Sequence, residues 1–100
     1  MPKYRRGKFM EYIIKNDSII LKDEEGKKVA EVLFPLLREG VVKITHTFVD
    51  PSLRGQGIAS KLLDMLVTEL RKNGAKAIAK CPYAISYFLK HPEDNDVLIA

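Results

Sequence analysis

The stretch that best indicates the fold reads Val49-Asp50-Pro51-Ser52-Leu53-Arg54-Gly55-Gln56-Gly57-Ile58-Ala59. A β-branched apolar run, residues 41–49, leads into it, and a helical periodicity begins at Gln56. A strand, a glycine-containing loop and a helix N-terminus together form an anion site, because backbone N–H groups and the helix dipole point at the loop. The stretch therefore predicts a loop that holds a pyrophosphate.

The composition predicts one soluble globular domain. Of the 100 residues, 46% are hydrophobic and 30% are charged, which is ordinary for a globular protein. No run approaches the roughly 18 apolar residues of a membrane span. The single cysteine, Cys81, excludes an internal disulfide, and with two histidines it gives no metal-ligand spacing. We therefore expect no metal, no membrane and a cytoplasmic location.

The formal net charge of +4 lies in the first eight residues, because the rest of the chain has equal numbers of basic and acidic groups. The basic residues of that segment are Lys3, Arg5, Arg6 and Lys8. We interpret residues 1–8 as a disordered tail and residues 9–100 as the single domain, since chain ends are commonly frayed. Nucleic acid is not expected as a partner, because such a protein would carry its excess charge across the domain face.

The first half predicts an antiparallel meander that leads into a long central strand. Three short apolar segments are separated by polar turns: residues 10–16, 19–21 and 29–34. Pro35 stops the third segment, and residues 36–40 are a connector with one helical turn. Residues 41–49 form the central strand, whose alternation places His46 on the face of Ile44.

The second half predicts a βαβ unit. Four apolar residues recur at helical spacing: Ile58, Leu62, Leu66 and Leu70. This helix ends at Asn73-Gly74, and residues 75–81 form a strand parallel to the central one, because a helix connects the two. Pro82 opens a second helix, and residues 97–99 form a last edge strand.

The glycine loop resembles motif A of the GNAT-superfamily N-acetyltransferases. That motif reads Arg/Gln-x-x-Gly-x-Gly/Ala, and the chain has Arg54-Gly55-Gln56-Gly57-Ile58-Ala59 between Val-Asp-Pro and Leu-Leu. It matches neither the Walker A loop nor the dinucleotide GxGxxG spacing. The resemblance, closest to the very small single-domain members, implies an α+β fold of α/β GNAT-like type. It has a three-strand antiparallel meander, a central strand splayed from the following parallel strand, and two main helices.

The resemblance also implies acetyl-CoA as the co-substrate. In the family, motif-A amides hold the pyrophosphate, and the preceding strand offers main-chain groups to the pantetheine. Carried over to this chain, the cofactor-binding residues are Phe48, Val49, Arg54, Gly55, Gln56, Gly57, Ile58 and Ala59.

The implied splay places the chemistry between His46 and Cys81. Histidine changes charge near neutral pH, so His46 could take a proton from an amine, or it could simply pack in the sheet. Cys81 could accept the acetyl group if the following helix or His46 stabilises its thiolate. Alternatively, it is a small buried side chain beside the thioester.

A tyrosine often protonates the leaving CoA thiolate in this family, within the pattern Asn-x-x-Ala-x-x-x-Tyr. Here Cys81 takes the asparagine position, Ala84 fits, and Phe88 stands where the tyrosine belongs. Tyr87 is one residue early, and Tyr83 is one turn before it. Either could serve, and Tyr87 is preferred.

The sequence thus predicts an N-acetyltransferase that moves the acetyl group of acetyl-CoA to an amine. The alternative is a non-catalytic acyl-CoA-binding or sensing module. Family members usually carry helices between their first two strands, which wall the acceptor site, whereas here only Asn16-Asp17-Ser18 separates the strands. This open side suits a macromolecular amine, a partner protein or no acceptor, and the acceptor's identity does not follow from the sequence.

Overall fold

The computed structural model describes residues 10–99, which form seven strands and two α-helices. The strands are β1 (Glu11–Ile14), β2 (Ser18–Lys22), β3 (Lys28–Leu33), β4 (Leu36–Arg38), β5 (Val41–Ile44), β6 (His46–Val49) and β7 (Lys76–Ala79). The α-helices are α1 (Ile58–Asn73) and α2 (Pro82–Lys90), and short 3-10 helices cover Pro51–Leu53 and Pro92–Val97. The predicted basic tail, residues 1–8, lies outside the described residues. Within the described part, no helix has the length and apolarity that a membrane crossing requires.

The strands form two sheets that share one continuous hairpin. The first sheet has the order β1-β2-β3-β6 and is antiparallel throughout. The second has the order β4-β5-β7, with β5 antiparallel to β4 and parallel to β7. The predicted meander, the βαβ unit and the splay of the central strand from β7 are therefore confirmed, as is the α+β class.

The hairpin from β3 to β6 is bent at Pro35 on one arm and at Thr45 on the other. Pro35 has no N–H and cannot continue the ladder of β3, while its carbonyl accepts a hydrogen bond of 3.0 Å from the Lys43 N–H. Opposite it, the Thr45 N–H donates to the Leu33 carbonyl at 3.1 Å. Two predictions are corrected here. Residues 36–38 form a strand instead of a helical turn, and the strand predicted for residues 41–49 is interrupted.

The interruption at Thr45 changes which side chains point inward. Ile44 is buried, His46 is exposed, and Thr47 and Val49 are buried. An unbroken strand would have placed Ile44 and His46 on one face. The prediction that they share a face is wrong, because Thr45 drops out of the ladder and the alternation slips by one residue.

Helix α1 packs its apolar face against the meander and supplies much of the core. Its buried residues are Leu62, Leu63, Leu66, Val67 and Leu70, which cluster with side chains of β2 and β3. The helix ends at Gly74 as predicted, with a φ of 66° and its N–H bonded to the Arg71 carbonyl. This packing fixes the N-terminus of α1 beside the end of β6.

The predicted edge strand at residues 97–99 is reduced to one bridge, because the 3-10 helix Pro92–Val97 extends to its first residue. Residues 97–99 contribute a single parallel bridge between Ala77 and Leu98, and the Ile99 N–H donates to the Ala77 carbonyl at 2.9 Å. Asp94 and Asp96 both pair with Arg71 near the end of α1. These ion pairs hold the 3-10 helix against α1.

Candidate functional site

The loop before α1 is shaped by two glycines with left-handed backbones. Gly55 has a φ of 84° and Gly57 a φ of 77°, a region that other residues rarely adopt. A Cβ on either residue would meet no atom within 4 Å. The loop therefore requires glycine for its backbone conformation and not for lack of space.

The N-terminus of α1 is open toward this loop. Gly57 occupies the N-cap position without a side-chain hydrogen bond, and the first turn contains no acidic residue. The first N–H groups of an α-helix have no partner within the helix. With the positive end of the helix dipole, these donors form a seat for an anion.

Asp50 fixes the chain where it enters the loop. Its carboxylate accepts hydrogen bonds from the Ser52 hydroxyl at 2.5 Å and the Ser52 N–H at 3.0 Å. These bonds, the hydroxyl first, lower the pKa of Asp50 below its ordinary value. Further along, the Arg54 Nε donates to the Val49 carbonyl at 3.3 Å, which ties the loop to the end of β6.

A cavity of about 310 Å³ lies between the loop, the start of α1 and one face of α2. Its lining residues are Val49, Leu53, Arg54, Gly55, Gly57, Ile58, Ala59, Ser60, Leu63, Tyr83, Ser86, Tyr87 and Lys90. The structure thus brings most of the predicted binding residues together with Tyr87. Four predicted residues lie outside this lining: His46, Phe48, Gln56 and Cys81.

One face of helix α2 lines the cavity, and the sequence identified only part of this face as a site. Tyr83, Ser86, Tyr87 and Lys90 all line the cavity, and their spacing of three, four and seven residues places them on one side of a helix. Ser86 and Lys90 were not predicted as site residues. Their spacing from the two tyrosines was the signal that could have identified them.

Cys81 lies at the junction of β7 and α2, where the two sheets separate. It is the N-cap of α2, and its Sγ accepts a hydrogen bond from the Ala84 N–H at 3.4 Å. The Thr47 Oγ1 on β6 lies 3.2 Å from the same sulfur. Both side chains are buried, so the thiol is held from two sides. Within residues 10–99, the hydrogen-bonding side chain beside this thiol is Thr47 and not His46.

Tyr87 is held by a buried carboxylate. Its hydroxyl donates to Asp94 Oδ2 at 2.8 Å, and Asp94 Oδ1 accepts from Arg71 at 2.9 Å. Burial, followed by the bond to Asp94, raises the pKa of Tyr87 well above its ordinary value. Tyr87 therefore keeps its proton strongly.

Tyr83 and His46 are more accessible than Tyr87. Tyr83 is 43% exposed and lines the cavity, and within residues 10–99 its hydroxyl has no hydrogen-bond partner. His46 begins β6, where it pairs with Leu33 of β3, and its side chain is exposed. Both side chains are therefore in contact with solvent.

Three potential metal ligands also approach one another near the end of α2. Ligand atoms of His91, Glu93 and Asp94 lie within 4.8 Å. His91 Nδ1 is 3.1 Å from Glu93, and Asp94 already binds Tyr87 and Arg71. These contacts within the protein account for the cluster without an ion.

The chain is similar to a known protein family and to several solved structures. A family model described as GCN5-related N-acetyl-transferase matches residues 9–97. None of the curated proteins matches the sequence. Among solved structures, a GCN5-like protein from Staphylococcus aureus, determined by NMR, is 30% identical with a TM-score of 0.74. That match covers 90% of this chain and 88% of the other.

Two larger enzymes from Escherichia coli share the fold. One is a GNAT-family N-acetyltransferase in complex with CoA, at 24% identity and a TM-score of 0.60 over 71% of this chain. The other is the ribosomal-protein-S18-alanine N-acetyltransferase, at 23% identity and a TM-score of 0.59 over 79% of this chain. The matches span 43% and 50% of these two enzymes.

Proposed function

The chain belongs to the GCN5-related N-acetyl-transferase family, and on that premise we propose that it transfers the acetyl group of acetyl-CoA to an amine. The single observation that carries the proposal is the cavity, which lies between the open N-terminus of α1 and a polar face of α2. Its main-chain donors and its cations suit the phosphates of a CoA.

The pyrophosphate is proposed to lie on the main-chain N–H groups of residues 54–59. The positive φ angles of Gly55 and Gly57 shape this loop, and the dipole of α1 favours a negative ligand. Arg54 of the loop and Lys90 of α2 both line the cavity and add positive charge. Hydrogen bonds from such cations to phosphate oxygens are stronger than neutral ones.

The pantetheine is proposed to run along the free edge of β6, beside Phe48 and Val49. Within the described chain, β6 pairs with β3 alone, because β7 pairs with β5. The Asp50 N–H bonds to the Val29 carbonyl, and ladder bonds alternate along an antiparallel pair. The main-chain groups of Val49 consequently face the free edge, whereas those of Phe48 face β3.

In direct transfer, the amine nitrogen attacks the thioester carbon, so that a C–N bond forms and the C–S bond breaks. CoA leaves as a thiolate and takes up a proton. His46 is the proposed base that removes the proton of the incoming ammonium. Its exposure at the start of β6 supports this role, because the base must meet an acceptor that arrives from solvent.

In a covalent route, the Cys81 sulfur attacks the same carbon. A bond from the acetyl carbon to Cys81 forms, the bond to the CoA sulfur breaks, and the proton of the Cys81 thiol ends on CoA. The amine then displaces Cys81. The position of Cys81 at the N-terminus of α2 supports this route, since a helix N-terminus stabilises a thiolate.

For the acid that protonates the CoA thiolate, the sequence favours Tyr87 and the hydrogen bonds favour Tyr83. The Tyr87 proton is engaged by Asp94 and its pKa is raised, which weakens it as a donor. Tyr83 lines the same cavity with an unengaged hydroxyl, as judged over residues 10–99. We propose that Tyr83 donates the proton and that Tyr87 shapes the wall.

The second candidate function is an acyl-CoA-binding or sensing module without catalysis. A specific observation favours it: β1 and β2 are joined directly by residues 15–17, so no helix walls an acceptor site between them. An enzyme with this open side would act on a macromolecular amine, which brings its own complementary surface.

The composition bears on the compartment and on further partners. We propose the cytoplasm as the compartment, because an unpaired thiol suits a reducing environment. We propose neither a membrane nor a nucleic acid as a partner. Deletion of residues 1–8 should leave retention on DNA unchanged, and a loss of retention would reinstate nucleic acid.

Incubation with acetyl-CoA, followed by intact mass spectrometry and a CoA-release assay, tests the proposed function. An adduct of one acetyl group that disappears in Cys81→Ser supports the covalent route. Release of CoA that depends on an added amine, without an adduct, supports direct transfer. Binding of acetyl-CoA with neither result favours the binding module, and a failure to bind acetyl-CoA overturns the proposal.

A further inference from the structure

We infer that Thr47 is a positioning residue for the Cys81 thiol. The Thr47 Oγ1 lies 3.2 Å from the Cys81 Sγ. Thr47 is 7% exposed and Cys81 is 6% exposed, so the contact is shielded from water. A buried hydroxyl needs a partner, and within residues 10–99 the sulfur is the only partner of this hydroxyl.

Hydrogen-bonding groups from two different elements contact the sulfur. The Ala84 N–H approaches it from the first turn of α2 at 3.4 Å, and the Thr47 hydroxyl approaches it from β6. A neutral thiol can donate to Thr47, whereas a thiolate can only accept. On ionisation, the Thr47 hydroxyl can rotate to donate, so that two donors and a helix dipole then stabilise the negative sulfur.

The bend of the hairpin creates this contact. Before Thr45 the chain forms β5, which pairs with β7. After Thr45 it forms β6, which pairs with β3. The slip in alternation turns Thr47 inward and His46 outward. As a result, the Thr47–Cys81 bond joins β6 to the end of β7 across the gap between the two sheets.

The consequence for acetyl transfer rests on the proposed function of Cys81. Thr47 fixes the direction of the Sγ and stabilises its anionic form, which is the form that attacks a thioester. It touches neither the donor nor the acceptor in this scheme, so it acts through Cys81. Removal of its hydroxyl should therefore change the ionisation of the thiol even in the absence of acetyl-CoA.

The test uses the full chain with 13C-labelled cysteine, since Cys81 is the only cysteine. The 13Cβ chemical shift is followed against pH in wild type, Thr47→Val, Thr47→Ser and Thr68→Val. Thr68 is an exposed helical threonine that bonds the Asp64 carbonyl and serves as the control. The midpoint should rise by about one pH unit in Thr47→Val, because a hydrogen bond to a charged group is lost. It should stay near the wild-type value in Thr47→Ser and Thr68→Val.

An unchanged midpoint in a folded Thr47→Val protein overturns the inference. If Thr47→Val fails to fold, Thr47→Ala replaces it with the same expectation. A midpoint equally raised in Thr47→Ser also overturns it, since the hydroxyl is retained there. Because the titration needs no substrate, a raised midpoint in a protein that shows no acetyl transfer would support the inference and reject the enzyme.

Discussion

The Tyr87 hydroxyl donates a 2.8 Å hydrogen bond to the Asp94 carboxylate, which in turn accepts from Arg71 at 2.9 Å. This chain of contacts joins the cavity wall on α2 to the C-terminal 3-10 helix and the last turn of α1. It also commits the Tyr87 proton to a buried acceptor. The wall of the proposed CoA cavity is thereby fixed by groups that do not themselves line it.

Stability should fall in alkali through Tyr87. Its folded-state pKa is raised, so its contribution is fully present below the ordinary value of about 10 and is lost as the pH rises toward the folded value. The unfolding free energy, measured by urea titration from pH 8 upward, should decline above pH 10 less steeply in Tyr87→Phe. Tyr12, whose pKa is raised by burial without a hydrogen bond, is the comparison, and Tyr12→Phe should flatten the decline less than Tyr87→Phe. A wild-type slope in Tyr87→Phe would contradict the prediction.

Asp94→Asn should destabilise the fold by about 1–3 kcal/mol, because Asp94 is buried and its loss weakens bonds to both Tyr87 and Arg71. Asp96→Asn is the matched control, since Asp96 also pairs with Arg71 but is exposed. Its effect should be much smaller, as for surface ion pairs in general. Equal losses in the two variants, measured by urea unfolding at neutral pH, would show that burial of Asp94 does not matter.

The two tyrosines of the cavity should differ in their effect on acetyl transfer. Tyr83→Phe should lower kcat by roughly 10²–10⁴-fold, the usual contribution of a general acid, with little change in CoA affinity. Tyr87→Phe should lower kcat less, because its proton is held by Asp94. Steady-state kinetics with a responsive amine checks both. The reverse order of effects would restore Tyr87 as the acid.

The glycines of the loop should be required for CoA binding beyond their effect on stability. Gly55→Val with Gly57→Val places side chains at φ of 84° and 77°, and Gly26→Val with Gly40→Val does so at 81° and 77° in turns outside the cavity lining. Each replacement should cost about 1–2 kcal/mol of stability. Calorimetry should show loss of acetyl-CoA binding in the first pair alone. Unchanged affinity in a folded first pair would reject the pyrophosphate site.

Local patterns were sufficient to predict the elements that set the donor site. The apolar spacing from Ile58 to Leu70, the closing Gly74 and the glycines before α1 each act within a few residues of the chain. The helix, its end and the open N-terminus accordingly lie where the sequence predicted them. Tyr83, Ser86 and Lys90 also shared a helical spacing, so that face of α2 could have been identified in full.

The features that the sequence did not reveal depend on distant contacts. The break at Thr45 arises because Pro35 bends the opposite arm of the hairpin. Residues 41–49 alone therefore do not indicate this break. The same holds for Thr47, which became a partner of Cys81 only through that break. Nor does the local sequence indicate the burial of Asp94 against Tyr87, which depends on the docking of the 3-10 helix.

The paired bends at Pro35 and Thr45 mean that the gap between the sheets is pre-organised. One hairpin feeds both sheets, so a ligand that occupies the gap need not pull a strand from its neighbours. Little conformational entropy should then be lost on docking at this edge. We expect acetyl-CoA to enter at a rate set by diffusional encounter, with no slow opening step beforehand.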